Sequence, residues 1–445
     1  MPRTGVVRGH GGEPRPNARP PLSPVPCPLS PMLVVQKYGG TSVGSPERIQ
    51  RVARRIAAAR RRGDSVVAVV SAMGDTTDDL TTLAQLVTGR ERPQGEHPRE
   101  MDMLLTAGER ISAALVTMAI REQGLEARSF TGSQAAIITD TSHTAARILD
   151  IRGDRLREAL DAGCIVIMAG FQGVSTEKEI TTLGRGGSDT TAVALAARLN
   201  ADRCEIYTDV DGIYTADPRR VADARIIPVI SHEEMLEMAS SGAQVMHGRA
   251  VDIGARFGVD IRVLSSFSED DGRPSGTLIT GRERMEDLVL RDVTGLASKG
   301  GQAKLVLRGL DPGMRAQTEL LEALAAAGVS VDMVVEAFEA DGRMQVQLTV
   351  AEDDVEKAHA VAGEVAGAGG AQVAAHRGLS RIAMVGYGMT GRPGVYARAY
   401  RALLDHGVEV HGVSTSSTSI TVLVHRDREE DAVRALHAAF GLGAE

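Results

Sequence analysis

The sequence contains no tryptophan, and aromatic residues make up only 3% of it. Such poverty argues against the stacking platforms that read single-stranded nucleic acid. A basic excess is missing too: 50 Lys and Arg stand against 58 Asp and Glu, a formal charge of -8. Without a cationic field, phosphodiester binding has no driving force, and small molecules are the expected partners, with no nucleic acid among them. Three cysteines occur, Cys27, Cys164 and Cys204, without metal-type spacing. Cys164 and Cys204 border apolar runs and read as small buried hydrophobes. No disulfide framework is visible, which fits a reducing cytoplasm. Apolar runs such as residues 66–70 are far too short to cross a membrane, and no secretory signal is expected.

What is present is an ordinary globular composition, 43% hydrophobic and 24% charged, in a chain of 445 residues. Two or three domains are the default at that length. Residues 1–31 hold nine of the seventeen prolines and show no aliphatic periodicity. They read as a proline-rich disordered arm, or as a stretch preceding a true start at Met32. From 32 to 281 the pattern alternates between short β-branched runs (33–35, 66–70, 165–169, 205–208) and long Ala/Leu/Arg segments of helical spacing. Ile49, Val52 and Ile56 mark one helix face, with Ser45 as its cap and Pro46 in its first position. Such alternation predicts an α/β sandwich around a mainly parallel sheet, with ligands beyond the carboxyl ends of the strands. A linker is expected at 268–274. Two α+β modules follow, at 288–375 and 376–445, each with a Pro-Gly loop, a helix (320–327; 396–404) and an alternating strand (344–350; 419–425).

Five segments of the α/β domain can carry chemistry. Lys37-Tyr38-Gly39-Gly40-Thr41-Ser42 ends the first strand; its glycines let backbone N–H groups approach a phosphate, and its lysine can neutralise a transferring phosphoryl group. A tight turn with a surface lysine is the plainer reading, and no Walker A loop occurs anywhere. Gly184-Arg185-Gly186-Gly187-Ser188-Asp189 opens a helix that Ser188 or Asp189 can cap, and Arg185 can clamp a carboxylate or lie solvated. Ser71 to Thr77 offers hydroxyls after the second strand, or ordinary loop chemistry. Thr106 to Arg110 reads as a helix start where Glu109 grips an ammonium group or merely favours the first turn. Thr208 to Arg219, with Asp209 and Asp211, reads as an acidic turn that can meet Mg²⁺ or a nucleotide, or as a structural turn.

Taken in chain order, these segments resemble the successive signatures of aspartate kinases in the amino-acid-kinase superfamily, and the repeated C-terminal modules resemble paired ACT domains. The resemblance covers nearly everything after Met32. It implies an ATP- and Mg²⁺-dependent enzyme phosphorylating the side-chain carboxylate of L-aspartate, the first step toward lysine, threonine and methionine. Lys37 and Asp189 would be catalytic. Lys37, Tyr38, Gly39, Gly40, Thr208, Asp209, Tyr214 and Arg219 would face ATP. Ser71, Thr77, Glu109, Arg185 and Ser188 would face aspartate, with Glu109 on the α-ammonium and Arg185 on the α-carboxylate. No metal-ligating residue is assigned. Asp311, Ser330, Val331 and Asp332 would meet an amino-acid effector, threonine or lysine, and the ACT modules imply a homo-oligomer. The chain departs from the family in three places. Gly248 stands where relatives carry Pro and Gln244 where some carry Lys; Ser330 replaces Asn; and Ser414 to Ser417 replaces Ser-Thr-Ser-Glu. Other members of the superfamily, acting on glutamate, carbamate or UMP, and a non-catalytic amino-acid sensor are the competing readings.

Overall fold

The computed structural model describes residues 32–243, 245–268, 276–285, 292–367, 370–389 and 393–443. The proline-rich arm, Cys27, Gln244, most of the expected linker and Arg392 lie outside the described residues.

The strands are β1 (Leu33–Tyr38), β2 (Ser65–Val70), β3 (Ala127–Phe130), β4 (Ile137–Thr139), β5 (Ile148–Ile151), β6 (Ile165–Ala169), β7 (Gln172–Ser175), β8 (Ile180–Thr182), β9 (Arg203–Thr208), β10 (Val229–Ser231), β11 (Ile261–Ser265) and β12 (Thr277–Thr280). Eight of them form one sheet in the order β10-β12-β11-β9-β1-β2-β6-β3, parallel throughout except between β11 and β12. The remaining four, β5-β4-β7-β8, make a small satellite sheet. The helices of this half are α1 (Pro46–Arg61), α2 (Thr76–Thr88), α3 (Pro98–Arg121), α4 (Asp154–Asp161), α5 (Gly187–Leu199), α6 (His232–Ser240) and α7 (Gly248–Phe257). Parallel strands need such crossovers, and the helices bury both faces of the sheet. One face packs Val35, Val69 and Ile206 against α5 and α7, and the other packs Tyr38, Val66 and Ile167 against α1 and α3.

Local chemistry explains the helix ends. Ser45 accepts a hydrogen bond from the Arg48 N–H and Pro46 occupies the first position of α1, while Ile49, Val52 and Ile56 are buried, as the spacing predicts. α3 differs from its expectation. It begins eight residues before Thr106, so Glu109 lies in its interior and not in a first turn. By length and composition its 24 residues could span a bilayer, yet Asp102, Glu109, Val116 and Ile120 are all buried and the helix packs on α1 and the sheet. It is a core helix.

The C-terminal region is one antiparallel sheet, not two consecutive modules. Its strands are β13 (Gly295–Leu310), β14 (Val334–Phe338), β15 (Met344–Ala351), β16 (Gln372–Val385), β17 (Gly412–Thr415) and β18 (Ser419–His425), ordered β14-β15-β13-β16-β18-β17. Its helices are α8 (Met314–Ala326), α9 (Val355–Gly367), α10 (Val395–Asp405) and α11 (Glu429–Ala439). The long strands β13 and β16 pair along nearly their whole length, with an irregularity at 299–304 where Gly301 adopts positive φ. Leu305 and Leu307 of β13 belong to a core with α8 and α9, whereas Leu296 of the same strand joins Ile382, Leu403 and Leu436 in the core of the other half. The boundary expected between 375 and 376 therefore falls inside β16, and each half borrows a strand segment from the other.

Candidate active site

Strand register builds one rim. β1 pairs Tyr38 with Val70 of β2 and with Tyr207 of β9, and β2 pairs Val70 with Ala169 of β6. Four strands thus end level, and Gly39, Ser71, Thr208 and Gly170 all leave from the same edge. Alternation along β1 then sorts the side chains. Gln36 and Tyr38 point to the α1/α3 face, and Lys37 points with Val35 to the α5 face.

There the Lys37 Nζ lies 2.6 Å from Asp189 Oδ1, both side chains being about nine-tenths buried. Asp189 sits in the first turn of α5, but neither it nor Ser188 caps the helix as expected. The N-cap is Gly186, at φ 68°, with no side-chain cap. The Gly187 N–H bonds back to the Gly184 carbonyl, while the Ser188 and Asp189 N–H groups make no hydrogen bond with the described residues. An uncapped helix N-terminus with spare N–H groups beside a lysine is a ready anion site. Close backbone approach shapes the opposite wall. A Cβ on Gly40 would lie 3.0 Å from the Ala72 carbonyl oxygen, and one on Gly170 would lie 2.7 Å from Ser188 Oγ. The Gly39 N–H donates to the Tyr207 carbonyl at 3.3 Å, and the Gly74 N–H donates to the Gly40 carbonyl at 3.0 Å.

Glu109 reaches the rim from the interior of α3. Its Oε1 accepts from the Ala72 N–H at 3.2 Å, and Oε2 is buried with no hydrogen-bond partner. Burial pushes this carboxyl up to about 7, against the lowering effect of its backbone hydrogen bonds. Gly108 makes the approach possible, since a Cβ there would sit 2.7 Å from the Ala72 Cβ. Arg185 is exposed between Gly184 and Gly186, both at positive φ, and makes no hydrogen bond or ion pair with the described residues. Ser71 and Thr77 are half-buried on the same side, Thr77 in the first turn of α2.

On the β9 side, Thr208 Oγ1 donates to Asp209 Oδ1 at 3.1 Å, and Asp209 is exposed. Tyr214 is half-buried and bridges to Ile226, its phenol pushed up by burial. Arg219 donates to Asp217 through Nε and Nη2 at 3.0 and 2.8 Å, which holds the Asp217 carboxyl below the usual carboxylate range. Among the described residues no three His, Cys, Asp or Glu groups converge in a metal-binding arrangement.

One assignment changes. The Tyr38 side chain is fully buried, stacked on Tyr207 with ring centroids 4.9 Å apart, and its hydroxyl donates to Gln36 Oε1. Its parity on β1 turns it away from Lys37, so its ring is a core group with no face for a nucleotide. Asp311, Ser330, Val331 and Asp332 lie off the rim, in the C-terminal sheet region. There Asp332 pairs with Arg381, whose Nη2 also donates to the Ser240 carbonyl of α6 at 2.6 Å.

Sequence reasoning missed the braces behind the rim. Asp102, fully buried, accepts from Thr182 Oγ1 at 2.6 Å, from the Thr144 N–H at 3.1 Å, and contacts His143 Nδ1 at 2.6 Å. It ties α3 to the satellite sheet just ahead of Gly184. The His247 ring lies against Gly186, where a Cβ would be 2.2 Å from its Cγ, and Arg249 Nη1 donates to the Leu183 carbonyl at 3.0 Å. The segment from 242 to 250, read as a doubtful nucleotide contact, thus braces the Arg185 loop. The signal available in the sequence was an Asp seven residues ahead of Glu109, two helical turns away on the same face.

Comparison with known proteins agrees with this architecture. Residues 32–265 match the model of the Amino acid kinase family, and residues 382–440 match that of an ACT domain. Over 424 residues the chain is 49% identical to the aspartokinase of Mycolicibacterium smegmatis, an alignment spanning 93% of this chain and 97% of that protein. The chain belongs to the aspartokinase family. It is a kinase with an amino-acid-kinase fold and an ACT regulatory region. Among solved aspartokinases, Escherichia coli aspartokinase III in complex with aspartate and ADP (R-state) superposes with a TM-score of 0.75 at 25% identity, covering 92% of this chain and 100% of that one. The same enzyme in complex with lysine and aspartate (T-state) gives 0.70 at 26% identity, covering 92% and 99%.

Burial of Glu109 makes the stability of the fold depend on pH. Its folded-state pKa lies above the unfolded value, so its contribution to stability is present below about 4.5 and is lost as pH rises through about 7. Glu109→Gln should therefore gain on the wild type by about 1–3 kcal/mol between pH 5 and pH 8. Urea melts at the two pH values measure this, and a stability difference that does not change with pH contradicts it.

Proposed function

We propose that this chain transfers the γ-phosphoryl group of ATP to the β-carboxylate of L-aspartate, giving 4-phospho-L-aspartate and ADP. The supporting observation is a complementary pair at one rim: a buried carboxylate oxygen without a partner on Glu109 and an unpaired guanidinium on Arg185. An α-amino acid offers an ammonium group to the first and a carboxylate to the second, which leaves its side-chain carboxylate to point at the lysine. Filling the site would also settle Glu109, since a cation at Oε2 favours its ionised form.

The reacting carboxylate is ionised near pH 7, so no general base is required. Its oxygen attacks Pγ, the Pγ–O bond to ADP breaks, and the difficulty is the approach of two anions. Lys37, oriented by Asp189, supplies the cation. The free N–H groups of Ser188 and Asp189 and the glycine backbone at Gly39 and Gly40 line the path of the phosphoryl oxygens. Ser71, Thr77 and Ser188 stand on the amino-acid side. Thr208, Asp209, Tyr214 and Arg219 stand on the nucleotide side. Mg²⁺ fits here as a companion of the triphosphate, because no resident carboxylate cage exists among the described residues and Mg²⁺ is ordinarily held by phosphates and one or two carboxylates.

The same reading puts the enzyme in the cytoplasm, where ATP is supplied, at the entry to lysine, threonine and methionine synthesis. It also makes the ACT sheet the seat of a feedback effector, threonine or lysine, and of homo-oligomer formation. Escherichia coli aspartokinase III has been captured with lysine, which favours that class of effector.

Assays offering L-aspartate, L-glutamate and UMP in parallel, with hydroxylamine trapping of the acyl phosphate, test the substrate; trapping with aspartate alone is expected. Lys37→Ala should lower turnover ~10²–10³-fold, on the scale of a lost transition-state donor, and near-normal turnover would remove its assignment. Arg185→Ala should raise the KM for aspartate about tenfold or more with a smaller change in the KM for ATP. Unchanged aspartate saturation contradicts the clamp.

A further inference from the structure

The segment between β9 and β10 is held both by the kinase sheet and by the C-terminal region. Thr215 is its anchor and is 2% exposed. Its Oγ1 accepts from the Arg225 N–H at 3.1 Å, donates to the Leu442 carbonyl at 3.2 Å, and lies 3.0 Å from His437 Nε2 of α11. Its carbonyl accepts from the Leu296 N–H of β13 at 2.7 Å. A few residues on, Arg220 Nη1 pairs with Glu429 at the start of α11, and the other oxygen of Glu429 accepts from Ser380 Oγ of β16 at 2.7 Å. Arg434 Nε donates to the Arg220 carbonyl at 3.2 Å, and Ala224 bridges to Gly443. Between the anchors, Ala216 and Val221 are buried in the same core as Val433, Leu436 and Leu442 of the C-terminal region. Elsewhere an open cavity of about 570 Å³, lined in part by Pro218, Arg219, Asp223 and Arg434, separates the loop from α11. At its start the loop is pinned to the kinase sheet, where Ile213 is buried and its N–H donates to Thr277 Oγ1 of β12 at 2.8 Å; from Thr215 to Ala224 its links outside itself are a few polar bonds and small apolar contacts to the ACT region.

We infer that Thr215 and Glu429 are positioning residues for the nucleotide side of the active site. Through them the second ACT half holds the loop carrying Tyr214 and Arg219, so that ATP affinity is set in part from the regulatory region. The inference rests on the proposed placing of ATP at residues 208–219 and adds a route by which a shift of α11 reaches that site and not the aspartate side. Neither residue is placed at the reacting atoms; each acts through the loop it holds.

The test uses the full chain with two substitutions at separate anchors. Thr215→Val removes the hydroxyl at nearly constant volume, and Glu429→Gln removes the charge opposite Arg220 while keeping an acceptor for Ser380. Each should raise the KM for ATP, and the Kd for ATP by calorimetry, about tenfold while the KM for aspartate stays within about twofold. A lesion that merely loosens the fold would move both KM values or the amount of active enzyme. Unchanged ATP affinity in either variant that retains the wild-type melting temperature overturns the inference, and so do equal rises in both KM values. If one variant fails to fold, the other decides. Should the wild type itself bind ATP yet trap no acyl phosphate from aspartate, the proposed reaction fails while the ATP calorimetry still judges the anchors.

Discussion

The contact on which the site depends is the ion pair between Lys37 and Asp189. A lysine on a strand buried on both faces needs an opposite partner to offset the cost of its burial. Asp189 supplies one, at a helix N-terminus that would itself favour an anion. The pair therefore holds an ammonium group nearly dry at the rim where, on the proposed reading, two anionic reactants meet. Few other placements achieve this. The lysine must lie within two residues of the end of a central strand, and the aspartate in the first turn of the helix packed on that strand.

The rest of the kinase half serves that geometry. Level strand ends bring Gly39, Ser71, Thr208 and Gly170 to one edge, and glycines at 40, 108 and 170 let three backbones close to distances that a Cβ would forbid. Behind the edge, Asp102 and His247 fix the two ends of the approach to Arg185, which itself stays unpaired. An amino-acid site of the kind proposed needs this contrast of rigid surroundings and spare charges. Glu109 shows the same logic, since an ionised buried carboxylate with an unpartnered oxygen costs stability that a cationic ligand would return. The C-terminal sheet extends the dependence, because the loop from Thr215 to Ala224 takes several of its anchors from α11 and β13.

The gathering of the candidate segments at one rim was legible in the sequence because the glycine-rich segments follow β-branched runs directly, and a strand-loop-helix order places such segments at one edge of a parallel sheet. Ser45, Pro46 and the spacing of Ile49, Val52 and Ile56 gave α1 correctly for the same local reasons. The misreadings have physical causes. Tyr38 stands inside the signature run, and only strand parity turns its ring to the core. The interior of α3 resembles a helix start because small residues at 106–108, needed for contact with Ala72, imitate a cap. Gly186, not a side chain, ends up as the N-cap of α5, leaving N–H groups free that a capping residue would have consumed. The exchange of strand segments between the ACT halves could not be read from a repeat, because each half has its own complete local pattern and pairing partners are chosen by tertiary packing. Asp102 and His143 lie 41 positions apart, beyond any local rule.

A double-mutant cycle on turnover tests the central pair most directly. Lys37→Ala, Asp189→Asn and the combination should be strongly non-additive, with the double variant about as slow as the slower single one, because the two groups act as one unit. Costs that add in full would show that lysine and aspartate work independently, and would contradict the account.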